Sequence, residues 1–270
     1  MSATMFLCRT CGTQYPAERK PPEHCPICED DRQYLKPDGQ QWTTLERLRS
    51  GHTNTLTEIA PGITTIATAP SVGIGQRAYL IATPAGNILW DCVTYLDQQT
   101  ATEINARGGL AAIAISHPHF FTTMVDWSHA FGSVPIYLHR DHQPWVMRPD
   151  PVIRYFDGES VAPLAALPDL RVIRLGGHFP GSSVLHWPQG ADSALFTGDT
   201  ISICADPCWV TFMYSYPNSI PLGPTAIRRI AAGVEPLAFT RLYDGWGQVQ
   251  GDAKVAVLRS AERYLAHISE

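Results

Sequence analysis

Two sets of residues in this chain have types and spacings suited to holding a metal. The first is Cys8, Cys11, Cys25 and Cys28, which form two C-x-x-C pairs with thirteen residues between them. Each pair turns so that both sulfurs face one point, and two such turns complete a tetrahedral four-sulfur shell. Gly12 after the first pair and Pro26 inside the second favour the tight knuckle. A closed shell leaves no open position, so the expected role is structural, with zinc the default metal. Metal binding would hold together a segment too poor in apolar residues to fold by itself. His24 adjoins Cys25, but four sulfurs already suffice. Cys92, Cys204 and Cys208 are scattered through apolar or loop sequence and read as buried or incidental thiols.

The second set is His117, His119, His178 and Asp199. ISHPHFFT places His117 and His119 at the end of an apolar strand, and an extended H-x-H would turn both imidazoles to one side. GGHFPGSSVLHW carries His178 in a glycine-rich turn before a strand, and ALFTGDT sets Asp199 just beyond another. Three imidazoles and a carboxylate at strand ends make an open metal site. The other histidines read differently. His139 and His142 are expected in a solvent-exposed loop, His186 packed in a strand, and His129 facing solvent. His52 and His267 belong to no constellation.

The order H-x-H, then GHFPGSS, then TGDT resembles the metallo-β-lactamase superfamily over roughly Thr57 to His267. The resemblance implies an αββα sandwich with metal at one edge of its two sheets. It also implies that His117, His119 and His178 are the first metal's ligands and Asp199 the bridging carboxylate. The family's H-x-H-x-D-H motif is incomplete, because Phe121 and Thr122 stand where an Asp and a second-metal His belong. The late histidine is missing too, since that region reads RLYDGWGQ. Asp199 and Asp244 alone are too few to hold a second ion, so a mononuclear site is expected, with zinc or iron. The cysteine knuckles also resemble those of rubredoxin-type domains, which hold redox-active iron in the same geometry.

A metal bound by three neutral imidazoles lowers the pKa of a coordinated water toward about 7, giving hydroxide at neutral pH. Asp199, the expected catalytic residue, would orient that water or accept its proton. The reaction expected is hydrolysis of an ester, thioester, lactone or amide, with Tyr214, Tyr216 and Trp246 either lining the pocket or packed in the core. Phe121 weakens this reading, because the missing Asp often orients the nucleophile in family hydrolases. Two alternatives remain at this stage. His117, His178 and Asp199 are also the facial set of a non-haem iron oxygenase, which a rubredoxin-like site could supply with electrons. Loss of family ligands also fits a non-catalytic metal-binding or protein-interaction module.

The elements that must position these residues alternate between strand and helix, as in a layered α/β domain. Trp42 to Arg49 has helical character, and Ile63 to Ala69 is β-branched and extended. AYLIATPAGNILWDCV reads as two strands joined at Pro84–Asn87, LDQQTATEINARGG as a helix, and LAAIAIS as a strand buried on both faces. FTTMVDWSHAFG is amphipathic and helical. Strands follow in VPIYLH, LRVIRLGG, SSVLHWP, SALFTGD and LAFTRLY. PTAIRRIAAG is a helix with Pro224 in its first turn and Gly233 after its end, and DAKVAVLRSAERYLAHI is a closing helix. Residues 1–40 are expected to be the zinc ribbon and 41–270 the metallo-β-lactamase-like domain. The Ser215–Pro224 segment could be a pocket lid or an interface.

With 44% apolar residues in 270, the chain can bury a sizeable core. A net charge of −5, and acidic residues that outnumber basic ones in the first forty, argue against a nucleic-acid partner. No apolar run is long enough for a membrane span and no export signal is evident, so a cytoplasmic protein acting on a small-molecule substrate is expected.

Overall fold

A computed structural model describes residues 3–268; the outermost residues of the two expected domains lie outside the described range. The N-terminal segment forms a small sheet in the order β2-β1-β3, built from β1 (Thr4–Cys8), β2 (Gln14–Glu18) and β3 (Trp42–Thr43). One short helical turn, α1 (Pro26–Glu29), carries Cys28 and starts at Pro26, whose missing N–H costs nothing in a first turn. The stretch from Trp42 to Arg49 is not one helix. Trp42–Thr43 pairs with β1, and α2 (Leu45–Arg49) begins only after Thr44, whose hydroxyl accepts from the Arg47 amide as an N-cap.

The remaining chain builds two larger sheets. The first has the order β10-β9-β8-β7-β6-β5-β4, from β4 (Thr53–Ala60), β5 (Ile63–Ala69), β6 (Ala78–Ile81), β7 (Ile88–Trp90), β8 (Ala112–Ala114), β9 (Ile136–His139) and β10 (Ile153–Phe156). Its first strands are antiparallel hairpins, whereas β7 to β10 run parallel. The parallel part needs crossovers, which α3 (Gln98–Ala106) and α4 (Met124–Ala130) supply. The second sheet has the order β11-β12-β13-β14-β19-β20, from β11 (Ser160–Val161), β12 (Arg171–Arg174), β13 (Ser183–Trp187), β14 (Ala194–Phe196), β19 (Arg241–Tyr243) and β20 (Gln248–Val249). Between β14 and β19 lie two small hairpins, β15 (Ser202–Ile203) with β16 (Val210–Thr211), and β17 (Met213–Ser215) with β18 (Ile220–Pro221). The helices α5 (Pro224–Val234) and α6 (Ala253–Ile268) complete the chain.

The burial pattern shows how these parts stack. Tyr79, Ile81, Trp90 and Ala114 from the first sheet pack against Val172, Leu185, Phe196 and Tyr243 from the second. The other face of the first sheet buries Leu80, Leu89, Ile113 and Leu138 with Ile104, Met124 and Trp127 of its helices. The other face of the second sheet buries Val184, Leu195 and Leu242 with Ile227, Ile230 and Val257. Four layers result, helix, sheet, sheet, helix, which is the αββα sandwich expected. Every residue of β6, β7, β8, β13 and β14 is buried, as strands covered on both faces require.

Two further local expectations fail. Gly233 lies inside α5 rather than after it, at a point where a Cβ would stand 2.5 Å from the Leu175 side chain. The histidines of YLHRDH are not solvent-exposed: His142 is fully buried and His139 is 5% exposed. A turn of 3-10 helix over Arg140–Trp145 folds that segment back onto the sheet, so a polar-looking loop becomes interior.

Phe196 is fully buried at the centre of the inter-sheet core, with Tyr243 stacked on it at 4.9 Å and Tyr79 edge-on at 5.3 Å. Phe196→Ala is expected to cost about 3–5 kcal/mol. Urea unfolding should show a lower midpoint with an unchanged slope.

Candidate metal centres

The chain brings both predicted sets of donors together. Among the described residues two groups of His, Cys, Asp or Glu side chains converge closely enough to share an ion: Cys8, Cys11, Cys25 and Cys28, and His117, His119, His178 and Asp199. All eight are buried.

In the ribbon, Cys8 Sγ stands 3.5 Å from Cys28 Sγ and Cys11 Sγ 3.8 Å from Cys25 Sγ. Four sulfurs about 2.3 Å from a tetrahedral centre would stand about 3.8 Å apart, so the spacing fits an ion of zinc or iron size. The knuckles close through backbone bonds, the Gly12 amide to the Cys8 carbonyl and the Cys28 amide to the Cys25 carbonyl. Hydrogen bonding among the four thiols holds Cys8 and Cys25 below their ordinary value and pushes Cys11 and Cys28 above it, so a bound metal would have to draw the last two into the thiolate form. Thiolate is the form a metal requires. His24 stays outside the set, paired with Glu29 at 2.7 Å in an exposed position.

The histidine site lies at one end of the sandwich. His117 and His119 follow β8, Asp199 follows β14, and His178 precedes β13, which runs antiparallel to β14 and so starts at the same end. The Ser183 amide donates to the Ser116 carbonyl at 3.0 Å, tying the two sheets together there. The H-x-H pair is not extended as expected. His117 is extended, but Pro118–Phe120 forms a 3-10 turn that swings His119 around. The imidazoles therefore converge through different nitrogens, His117 Nε2 and His119 Nδ1. These stand 3.3 and 4.0 Å from Asp199 Oδ2, and His178 Nε2 stands 3.7 Å from that oxygen and 3.3 Å from His119 Nδ1. Donors about 2.0 Å from a tetrahedral ion would stand about 3.3 Å apart.

Two features indicate that these donors face an ion. His117 Nε2 and Asp199 Oδ1 are buried yet make no hydrogen bond, a costly arrangement for polar atoms unless a bound cation or a water on it satisfies them. Burial also works on each group. It would raise the Asp199 carboxyl, but His117 foremost, with hydrogen bonding from its neighbours, outweighs it and holds that carboxyl below its ordinary range. It lowers His119 and His178, keeping both in the neutral form that can donate a lone pair.

Sequence reasoning missed the groups behind the ligands. Ser116 Oγ lies 2.9 Å from His117 Nδ1 and donates to Asp91 Oδ1 at 2.8 Å, and the Ser116 amide donates to the same oxygen at 2.7 Å. This chain requires Nδ1–H on His117, which leaves Nε2 free for the ion. Burial pushes the Asp91 carboxyl up to about 8. The only signal in the sequence was an acidic residue directly after the apolar run ILW. His178 Nδ1 lies 3.1 Å from the Met213 carbonyl, which orients that ring in the same way.

Glycine is required at two positions here. Gly198, at φ +50°, precedes Asp199, and a Cβ there would lie 2.4 Å from Ser116 Oγ. Gly177, at φ +87°, precedes His178 and would strike Ile230 and Leu222 at 2.9 Å.

The second-metal positions are differently used. Phe121 is buried in the first sheet's outer core, edge-on to His142 at 5.8 Å. Thr122 is buried at φ +40° and its carbonyl accepts the Gln14 amide of the ribbon. Asp244 stands outside the converging donors. One of its oxygens accepts from Ser202 Oγ and the Ile203 amide, the other from the Trp246 and Gly247 amides. It organises the loop after β19 instead.

A cavity of about 280 Å³ opens on the site, with His119, His178, Asp199, Tyr216, Pro217, Trp246 and Ile74 in its wall. Arg32, Gln33 and Tyr34 of the ribbon complete that wall. Tyr216 and Trp246 thus line the pocket, whereas Tyr214 stacks on Arg32. The Ser215–Pro224 segment forms part of the wall, and its Asn218 amide donates to the Asp31 and Gln33 carbonyls of the ribbon. His186 is packed in β13, with Nε2 2.8 Å from the Ala238 carbonyl, and His129 is half-exposed beside Asp150.

No family model matches this chain. It is 48% identical over 265 residues to the uncharacterized protein YmaE of Bacillus subtilis (strain 168), covering 96% of this chain and 95% of that one. Among solved structures it resembles the metallo-β-lactamase DIM-1 with a TM-score of 0.57 at 13% identity, over 78% of this chain and 98% of that one. The metallo-β-lactamase FIM-1 from Pseudomonas aeruginosa, solved in a mono-zinc form, matches with a TM-score of 0.54 at 17% identity, over 78% and 96%. A metallo-β-lactamase from Erythrobacter litoralis gives 0.56 at 17% identity over the same shares. These likenesses establish the metallo-β-lactamase fold.

Asp91→Ala would remove the acceptor of the Ser116 hydroxyl and amide, and with it the chain that orients the His117 ring. It is expected to weaken metal binding at the histidine site about 10- to 100-fold, with ribbon metal unchanged. Competition with a chromogenic chelator checks this.

Proposed function

This chain belongs to the family of Bacillus subtilis YmaE, and we propose that it is a mononuclear metal-dependent hydrolase of a small ester, thioester, lactone or amide. The observation that carries the reading is the convergence of His117, His119, His178 and Asp199, the last three of them lining a cavity, with His117 Nε2 and Asp199 Oδ1 buried and unpaired. Zinc held by these donors would supply a Lewis acid and lower the pKa of a bound water toward about 7.

The protein's own residues account for the rest. Asp199 has two distinct oxygens: Oδ2 lies among the imidazole nitrogens, and Oδ1 is free to orient an attacking water and accept its proton. Tyr216 donates to the Asp199 carbonyl at 3.1 Å, which fixes the carboxylate's backbone rather than competing for its side chain. Trp246 is 41% exposed and Tyr34 44% exposed, and both border the cavity, giving it an apolar rim. The cavity's size suits a small molecule, and its apolar rim suits an uncharged carbonyl compound. With Phe121 and Thr122 at the second-metal positions and Asp244 engaged elsewhere, the donor set suits one ion.

The iron-oxygenase reading needs His119 outside the donor set, yet His119 Nδ1 is 3.3 Å from His178 Nε2, among the donors. Zinc is the metal proposed for the histidine site on that ground, and for the cysteine site as the default ion of a closed four-sulfur shell. A nucleic-acid partner is not proposed on a chain of net charge −5, and no described helix is long and apolar enough to cross a membrane. A cytoplasmic setting remains part of the proposal.

Elemental analysis of untagged protein against the His117→Ala/His178→Ala double variant tests it. Wild type should carry one metal beyond the ribbon's, and the variant should keep only the ribbon's. Turnover of activated esters or thioesters should fall at least 100-fold in His178→Ala with the fold intact. Iron in place of zinc, with oxygen consumption, would overturn the hydrolase reading; equal metal content in both proteins would overturn the site.

A further inference from the structure

We infer that Arg32, a ribbon residue, is a positioning residue for the histidine site, so that this site's metal affinity depends on the ribbon. The inference rests on the metal-site part of the reading above and adds a residue from outside the sandwich. Arg32 Nε donates to the main-chain carbonyl of His178 at 2.6 Å. Its guanidinium lies between two rings, 4.5 Å from Phe179 and 4.4 Å from Tyr214, and Nη1 donates to both carboxylate oxygens of Asp30 at 2.8 and 2.9 Å. The side chain is only 15% exposed. A planar cation so stacked and paired has little freedom, so it holds the His178 carbonyl in one place.

Both ends of this link are anchored. On the ribbon side, the Asp30 amide donates to the Pro26 carbonyl, which places Arg32 four residues beyond Cys28 on a turn that the cysteine site closes. Asn218 grips the same loop through the Asp31 and Gln33 carbonyls. On the histidine side, Phe179 packs against all three ligand rings, 5.9 Å from His117 and 5.1 Å from His119 and His178. Trp145 makes a second bridge, packing on the cysteine cluster and edge-on to Phe179 at 5.2 Å. Within the sandwich, His178 has the Met213 carbonyl for its ring and a glycine-rich turn for its backbone. That turn is braced on its C-terminal side, where the Phe179 amide donates to Ser182 Oγ at 2.8 Å and the Ser182 amide to the Phe179 carbonyl at 3.0 Å, and Arg32 adds the constraint on the His178 carbonyl itself.

The test uses full-length protein loaded with zinc at both sites, comparing wild type, Arg32→Ala and Arg32→Lys. Each is titrated with a chelator, and released zinc is resolved into two steps, with circular dichroism reporting the fold. Arg32→Ala should release the histidine-site zinc at about tenfold lower chelator concentration and the ribbon zinc at the wild-type concentration. Arg32→Lys should fall between, because an ammonium can reach the carbonyl but neither stacks nor pairs twice with Asp30. Identical release from all three proteins would overturn the inference. So would loss of both zincs together in Arg32→Ala, which marks a ribbon scaffold effect. A wild type with no second zinc overturns both this inference and the hydrolase reading. Weakened zinc in Arg32→Ala, with no turnover by wild type, upholds the positioning role and removes only the hydrolase.

Discussion

A carboxylate and three imidazoles share a desolvated space at one end of the two sheets, and much of this molecule is arranged to make that tolerable. Burying an unpaired polar group costs about 1–3 kcal/mol, and a buried carboxylate costs more. Here two donor atoms lie buried without partners. Each element nearby reduces the remaining freedom of the group. Ser116 and Asp91 fix the His117 tautomer, the Met213 carbonyl fixes His178, and Gly198 lets Ser116 approach the turn that carries Asp199. The geometry left over is a set of donors at ion-ligand spacing.

The ribbon belongs to the same arrangement. Gln14 donates its amide to the Thr122 carbonyl and its side chain to Asp126 at 2.7 Å, while Arg148 pairs with Asp126 at 2.6 Å. Gly73 lies against the Cys11 backbone, and Thr94 against Gly12. These contacts are spread over the first sheet and its loops, whereas Arg32 and Asn218 reach toward the second. A segment with a core of four cysteines, Tyr15 and Ile27 cannot bury much surface by itself. Docked, it shares Trp145 and Met147 with the sandwich and becomes one wall of the cavity.

Both donor sets and the layered fold were legible in the sequence because each rests on local signals. Knuckle spacing is fixed by turn geometry, and the buried strands LAAIAIS and SALFTGD are short apolar runs ending in donors. What was not legible depends on approach between distant segments. Nothing local marks Arg32, which sits in a charged stretch and acts across the interface on His178. Asp91 follows an apolar run, but its partner Ser116 is brought to it only by the pairing of β7 with β8. The H-x-H pair shows the limit of periodicity arguments. Proline at position 118 begins a 3-10 turn where alternation assumed a strand, and convergence survived only because His119 uses its other nitrogen. His142 departs from expectation for a related reason, since a polar string such as HRDHQ does not reveal that its segment is buried.

The incomplete second-metal half and the docked ribbon meet at one residue. Thr122 occupies the position of a second-metal histidine, and it adopts φ +40°, a conformation that β-branched residues avoid. Such strain, about 1–3 kcal/mol, persists only where surrounding structure over-determines it. The ribbon supplies that determination, because β2 begins with Gln14 and the Gln14 amide takes the Thr122 carbonyl at 3.0 Å. Phe121 beside it turns into the core, where an aspartate would be an unpaired buried charge. Restoring a second-metal aspartate and histidine would therefore require more than two substitutions. It would put a charge into the apolar core and alter the turn on which the ribbon docks. The turn that carries Phe121 and Thr122 at the second-metal positions is thus also the turn on which the N-terminal segment docks, so the two features are coupled through one hydrogen bond.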